Sequence, residues 1–129
     1  MNRKHILALA VIAGIGIGVA GATMVHAQEA KVAPAYMIAE VDVTDPTTFQ
    51  KYALSVPATF VPFNGQYLVR AGKTAVLEGE APKRIVVVAF DSMEKARAWY
   101  DSAAYDVIKP IRHSSANTRS FFVEGVAPK

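Results

Sequence analysis

The sequence predicts an α+β domain of the ferredoxin-like type, in which a β-α-β-β-α-β chain places both helices on one face of an antiparallel sheet. Three observations lead to this prediction. Apolar residues alternate through Tyr36–Val43, recur at helical spacing in two later segments, and run unbroken through Ile85–Ala89. An unbroken apolar strand is typical of burial on both faces, so we expect this strand at the centre of the sheet.

The first half of the domain predicts one strand and one helix. The strand Tyr36–Val43 presents Met37 and its alternate neighbours to one face, and the remaining residues to the other. Asp45 is a favoured N-cap residue and Pro46 is favoured at the first helical position, so a helix is predicted to begin here. Pro57 lies inside the helical pattern that follows, where its missing N–H is expected to kink or end the helix.

Two strands follow, separated by turn residues. Asn64-Gly65 is a turn pair and precedes a predicted strand, Gln66–Ala71. Thr74–Glu78 is predicted to be extended again, before a turn through Gly79–Lys83. The central strand, Arg84–Phe90, comes next.

The last part of the domain predicts a helix in two pieces and a closing strand. Asp91 and Glu94 resemble a capping box that opens the helix. Asp101-Ser102 interrupts the helix, a second helical face continues to Ile111, and residues 113–119 are predicted to form a polar loop. Ser120–Val126 is the expected final strand.

A secretory signal peptide is predicted for residues 1–27. Arg3 and Lys4 precede the apolar run Ile6–Ala22, and Val25-His26-Ala27 is a small-x-small cleavage site. The sequence therefore predicts a periplasmic or secreted protein with no stable membrane association after cleavage. Retention as an uncleaved anchor is the alternative, although a run of about 17 residues is near the lower limit for crossing a bilayer.

Composition restricts what the exported part can do. Cleavage leaves 102 of the 129 residues. Within them we predict a flexible lead-in over residues 28–34 and one domain over residues 35–127. The remaining 12 basic and 11 acidic residues give a net charge of +1, which predicts no nucleic-acid partner. The absence of cysteine excludes disulfides and zinc-thiolate sites. His113 is the only histidine left, and it would be a base or a haem ligand, or a surface residue of a polar loop. Without a second histidine no zinc or iron triad is expected, and we expect no metal and no cofactor.

The face of the sheet opposite the helices predicts a homodimer. We expect on it Tyr36, Ile38, Tyr67 and Val69, together with residues of the apolar central strand. Leaving such side chains in water costs about 1.5–3 kcal/mol each. Pairing two sheets face to face would bury them, so we expect a dimeric α+β barrel.

Several segments resemble the domain of unknown function 1330 family. They occur in the family's order over nearly the whole exported part and are Tyr36–Pro46, Gly65–Arg70, Val76–Gly79, Ala96–Ser102 and Val123–Gly125. The resemblance implies a dimeric α+β-barrel fold and no defined mechanism. Ala71 departs from the family pattern, where glycine is expected after the arginine. Asp91 stands in place of the usual proline, and Ala103-Ala104 replaces a proline and an acidic residue.

Arg70 and Glu78 are the first candidate site residues. Both stand at motif positions on what are predicted to be adjoining extended segments. An arginine and a carboxylate near a barrel interior would bind an anionic ligand and move a proton. The alternative is a salt bridge that only fixes the hairpin.

The remaining candidates are aromatic or acidic. Glu40, and less favourably Asp42, would be a general acid if buried, or a solvated carboxylate otherwise. Trp99, Tyr100 and Tyr105 would wall a pocket, or simply pack in the core.

These observations leave three hypotheses for function. The first is an exported dimer that binds a small organic ligand. The second is a cofactor-independent enzyme, monooxygenase-like or isomerase-like, acting on a small organic substrate. The third is a structural or stress-related dimer without a ligand.

Overall fold

The computed structural model describes residues 32–129, and its compact body runs from Ala33 to Ala127. The predicted signal peptide and most of the predicted lead-in lie outside the described residues. The elements are, in order, β1 (Ala35–Val43), α1 (Pro46–Phe60), a 3-10 turn (Val61–Phe63), β2 (Gln66–Arg70), β3 (Arg84–Phe90), α2 (Met93–Tyr100), α3 (Ala103–Ser115) and β4 (Ala116–Glu124). No helix among these residues is long and apolar enough to cross a membrane.

The four strands form one antiparallel sheet in the order β2-β3-β1-β4, which confirms the predicted ferredoxin-like α+β class. As predicted, β3 is interior, between β2 and β1. Alternate residues of β1, beginning with the fully buried Ala35, face the helices and form the core with Val88 and Phe90 of β3. Trp99 of α2 completes this core, stacked on Phe90 at 5.4 Å between ring centroids.

Helix α1 begins as predicted but ends later. Asp45 is its N-cap and accepts a hydrogen bond from the Thr48 backbone N–H at 3.2 Å, and Pro46 occupies the first turn. Of the two effects expected of Pro57, a kink or an end, the end is wrong, because the helix continues to Phe60. Its apolar stripe, which includes the buried Phe60, remains packed on the sheet through the last turn.

The start of α2 and the end of α3 also correct the sequence analysis. Ser92, not Asp91, is the N-cap of α2, and its hydroxyl accepts from the Lys95 N–H. Asp91 instead accepts hydrogen bonds from the Asn64 and Lys95 side chains at 2.8 Å each. The predicted polar loop over residues 113–119 is wrong as well. Helix α3 runs to Ser115 and β4 begins at Ala116, because β4 pairs with the whole of β1.

The segment predicted as an extended Thr74–Glu78 is a loop between β2 and β3. The β2–β3 ladder ends at Arg70, and Ala71 follows with a φ of +54°. That left-handed backbone disfavours a Cβ, which accounts for glycine as the expected residue at this position. Beyond it the loop is exposed, and Leu77 is 95 % exposed.

The face of the sheet opposite the helices divides into an apolar and a polar part. Val69, Val87, Ile38 and Phe121 form one row across all four strands. Phe121 remains 47 % exposed in the single chain. This sheet face is defined by alternate residues on β1, β3 and β4 together with Val69, and we call it the outer face. The expectation that Tyr67 lies on it is wrong, because an irregularity in β2 between Tyr67 and Val69 turns Tyr67 to the helix-facing side.

Candidate functional site

A cavity of about 50 Å³ lies between the sheet and the three helices, and we call it the inner cavity. Its floor is the helix-facing side of the sheet and its roof is α1, with α2 and α3 at the side. Its polar and charged lining includes Tyr52, Tyr67, Arg70, Arg84, Arg112 and Thr118.

Strand register arranges polar side chains on either side of an apolar strip of this floor. Arg84 of β3, Val41 of β1 and Thr118 of β4 form one row. In the adjacent row Arg70 of β2 lies opposite Val86. The arginines therefore stand on the β2–β3 side and the threonine on the β4 side, with the apolar β1 residue between them.

The two sheet arginines lie against aromatic rings at the edge of the cavity. The Arg84 guanidinium lies 5.2 Å from the centroid of the Phe49 ring, and that of Arg70 lies 4.9 Å from the Tyr67 ring. Flat guanidinium groups are attracted to ring faces, so both side chains are held in place. Arg70 is exposed, whereas Arg84 is partly buried.

A third arginine enters the inner cavity from α3. Arg112 is only 7 % exposed, and one of its terminal nitrogens lies 3.3 Å from Nε2 of His113. Its position on the helix follows from spacing, because Tyr105, Ile108 and Arg112 share the buried face of α3.

Three buried polar atoms have no hydrogen-bond partner among the described residues, and all three belong to residues that line the inner cavity. They are Nε of Arg84, Nε of Arg112 and Oγ1 of Thr118. An unsatisfied buried donor costs about 1–3 kcal/mol, and more when charged. The nitrogens are donors only, so the partner that would satisfy them must be an acceptor.

No acidic side chain is present among the described residues that line this cavity. Ion pairs within the described residues join Lys95 to Asp91 and Lys109 to Asp106, and neither pair involves an arginine of the cavity. The inner cavity is therefore apolar and aromatic in its walls and positively charged at its polar points.

Two phenol groups meet in the roof of the cavity. The Tyr52 and Tyr105 hydroxyls are 2.7 Å apart and buried. Burial, with a smaller contribution from Tyr105, raises the pKa of Tyr52 far above its ordinary value. Burial also raises the pKa of Tyr67, against the opposing charges of Arg70 and Arg84. Tyr52 and Tyr67 are therefore neutral hydrogen-bonding groups at neutral pH.

An open pocket of about 460 Å³ adjoins the inner cavity. Phe49, Ala53, Arg70 and Arg84 line both spaces, so the two sheet arginines stand at the boundary between them. We call this the outer pocket. A ligand entering here would pass the arginines before reaching the aromatic walls.

The structure separates the residues proposed from the sequence. Arg70, Trp99, Tyr100 and Tyr105 all line the inner cavity. Glu78 lies on the exposed β2–β3 loop and makes no ion pair with Arg70. The hairpin pairing expected for these two residues is absent because the ladder that would hold Glu78 beside Arg70 does not continue past residue 70.

The proposed acidic residues lie elsewhere. Glu40 is half-buried on the polar part of the outer face, where it lines a shallow hollow with Asp42, Lys83 and Arg119. It is therefore on the opposite side of the sheet from the inner cavity. His113 is exposed on the last turn of α3. Within the described residues, no three His, Asp or Glu side chains group together as metal ligands would.

Arg84, Arg112 and Tyr52 were not among the candidates predicted from the sequence, although both arginines left a signal. Arg84 lies four residues before the buried Val88 on β3, so both side chains are on the helix-facing side of the sheet. Arg112 lies four residues after the buried Ile108, within an otherwise apolar stripe. A charged residue at a core position of an amphipathic element is the pattern that marks both arginines.

Residues 34–126 match the family described as Domain of unknown function (DUF1330). The chain belongs to this family. No curated protein sequence matches it. Three solved structures share the fold of this DUF1330 protein at low sequence identity. One is a protein of unknown function from Rhodopseudomonas palustris, with a TM-score of 0.63 and 12% identity over 82% of this chain and 93% of that one.

The second structure is a dimeric ferredoxin-like protein of unknown function from Thermobifida fusca, with a TM-score of 0.52 and 15% identity over 72% of this chain and 92% of that one. The third is SnoaB, a cofactor-independent oxygenase from Streptomyces nogalater, with a TM-score of 0.52 and 11% identity over 71% and 92%. At these identities the likeness establishes the ferredoxin-like fold and carries no activity with it.

Proposed function

We propose that this DUF1330 protein is an exported homodimer that binds a small organic anion in the inner cavity. One observation carries the ligand part of the proposal: the three buried polar atoms without a partner, on Arg84, Arg112 and Thr118, all line this cavity. An anion would accept hydrogen bonds from the guanidinium groups, and the aromatic walls would hold an organic body.

Dimerisation and export rest on separate observations. The apolar row on the outer face supports pairing with a second copy, and the Thermobifida fusca structure of the same fold is described as dimeric. Export rests on the sequence of residues 1–27.

The second candidate is a cofactor-independent enzyme, monooxygenase-like or isomerase-like. The likeness to the oxygenase SnoaB supports this candidate. The guanidinium groups would also stabilise an enolate formed when a substrate loses a proton. Such a reaction needs a base. The described residues lining the cavity include neither carboxylate nor histidine, and the raised pKa of Tyr52 keeps its phenol protonated at neutral pH, so it supplies no base there. Binding is therefore the function we favour.

The experiment that tests ligand binding is mass spectrometry of small molecules released on denaturation from protein purified from its native host. An organic acid retained by the wild type and lost from Arg112→Met is the expected result. Arg97→Met is the matched control, because Arg97 is an exposed arginine of α2 that does not line the cavity. A wild-type protein that retains no organic acid would favour the third hypothesis, a dimer without a ligand.

A further inference from the structure

Two arginines, not one, bring an unsatisfied guanidinium nitrogen into the inner cavity. Nε of Arg84 and Nε of Arg112 are both buried and without partners in the described part of the chain. Arg70, by contrast, is exposed and can be solvated. A buried charge is costly unless an opposite charge pairs with it. A ligand with one carboxylate would satisfy the arginine that it contacts and leave the buried nitrogen of the other arginine without an acceptor.

The two groups enter the cavity from different elements, Arg84 from the sheet and Arg112 from a helix. Arg84 lies on β3, and Arg112 lies in the last turn of α3, four residues ahead of the first residue of β4. Thr118 of β4 stands in the same row as Arg84, with Val41 of β1 between them. Two strand spacings separate these backbones by roughly 10 Å, and long arginine side chains shorten the gap between head groups.

The space between the two sides is apolar. Val41 and Ala39 form the floor there, and Val56 and Phe49 are in the roof. The inner cavity is small, about 50 Å³, and Arg84 also borders the outer pocket of about 460 Å³, so only a short chain fits between the polar sides. The arrangement is a short apolar bridge with a hydrogen-bond donor at each end.

We infer that the ligand class is a short organic dicarboxylate. One carboxylate accepts hydrogen bonds from Arg84, and the other accepts them from Arg112 and the Thr118 hydroxyl. The methylene chain between them lies over Val41. This inference rests on the proposed function, since it specifies the anion that the same cavity binds.

A series of acids titrated into the wild-type protein tests the inference without any variant. Isothermal titration of protein made from the full-length sequence would compare malonate, succinate and glutarate with propionate, butyrate and valerate, and with sulfate. We expect the best dicarboxylate to bind at least about tenfold more tightly than the monoacid of equal chain length, since a second charged hydrogen bond is added.

Variants locate the two ends of the ligand. Arg84→Met and Arg112→Met are each expected to reduce the preference for dicarboxylate over monoacid to about twofold or less. Lys83→Met is the matched control. It removes a positive charge one residue from Arg84, but Lys83 lines the hollow beside Glu40 and not the inner cavity. It is expected to keep the full preference.

The outcomes separate this inference from the proposed function. Equal affinity for dicarboxylates and monoacids would overturn the inference and leave an organic-anion site. Binding of sulfate as tight as that of the best dicarboxylate would overturn the inference that the ligand is organic. Binding of no acid in the series would overturn the inference, whereas the proposed function is decided by whether the protein from its native host retains an organic acid. If an arginine variant fails to fold, the series of acids measured on the wild type still decides whether the site prefers a dicarboxylate.

Discussion

The Tyr52 hydroxyl lies 2.7 Å from the Tyr105 hydroxyl, and this buried hydrogen bond joins α1 to α3 across the roof of the inner cavity. The two rings meet edge to face, with centroids 6.3 Å apart. Tyr105 also contacts Trp99 at 4.4 Å between centroids. Core packing and the cavity wall are therefore the same set of side chains, so both sequence-based readings of Tyr105 apply.

Tyr105→Phe is expected to lower the free energy of unfolding by about 1–3 kcal/mol, because it leaves the buried Tyr52 hydroxyl without its partner. Urea denaturation measures the change. Tyr100→Phe is the control, since its hydroxyl makes no hydrogen bond within the described residues, and a change below about 0.5 kcal/mol is expected there. Equal losses in the two variants would mean that the hydroxyl pair does not stabilise the fold.

Stability is expected to fall as the pH rises above about 10, because the unfolded chain ionises Tyr52 there whereas the native chain keeps it protonated. Above that pH the native state binds more protons than the unfolded state, so alkali favours unfolding. Urea denaturation from about pH 8 to about pH 11 measures the trend. Tyr52→Phe should show a shallower decline, and an identical slope in this variant would contradict the assignment.

Gly65→Ala is expected to destabilise the fold by about 1–3 kcal/mol through overpacking. A Cβ at this position would lie 2.9 Å from Cβ of Phe60 and 2.9 Å from Cε1 of Phe90, both in the core. Gly72→Ala is the matched control, since nothing lies within 4 Å of its added Cβ. Thermal unfolding of the two variants side by side measures the difference, and similar midpoints would refute the packing argument.

Val87→Lys is expected to convert the dimer into a monomer, because it places a charge in the centre of the apolar row of the outer face. Light scattering at micromolar concentration measures the mass. Val107→Lys on the exposed side of α3 is the control and should remain dimeric. A wild-type protein of monomer mass under these conditions would overturn the dimeric barrel.

Processing is expected between Ala27 and Gln28 when the protein is made in its native host. The apolar run Ile6–Ala22 and the small-x-small motif before Gln28 are the reason. Intact mass spectrometry of the purified protein reads the first residue directly. A species that retains Met1 would show that the segment remains attached.

Most of the fold was predictable because its elements have local signals. Alternation in β1, the unbroken apolar run of β3 and the Asp45-Pro46 helix start each depend on residues close together in the chain. The errors occurred where a distant partner decides the outcome. Strand β4 begins at Ala116 because all nine of its residues pair with β1, and Pro57 stays helical because its stripe packs on the sheet.

The sequence by itself determined the fold class, the order of the elements and the family segments, since periodicity and turn chemistry are encoded locally. It also singled out Arg70, Trp99, Tyr100 and Tyr105 from motif positions. Only the tertiary structure brought Arg84 and Arg112 to one cavity and placed Glu40 on the opposite face. Strand register and helix packing join residues far apart in the chain, and a side chain's electrostatic surroundings exist only after those elements have met.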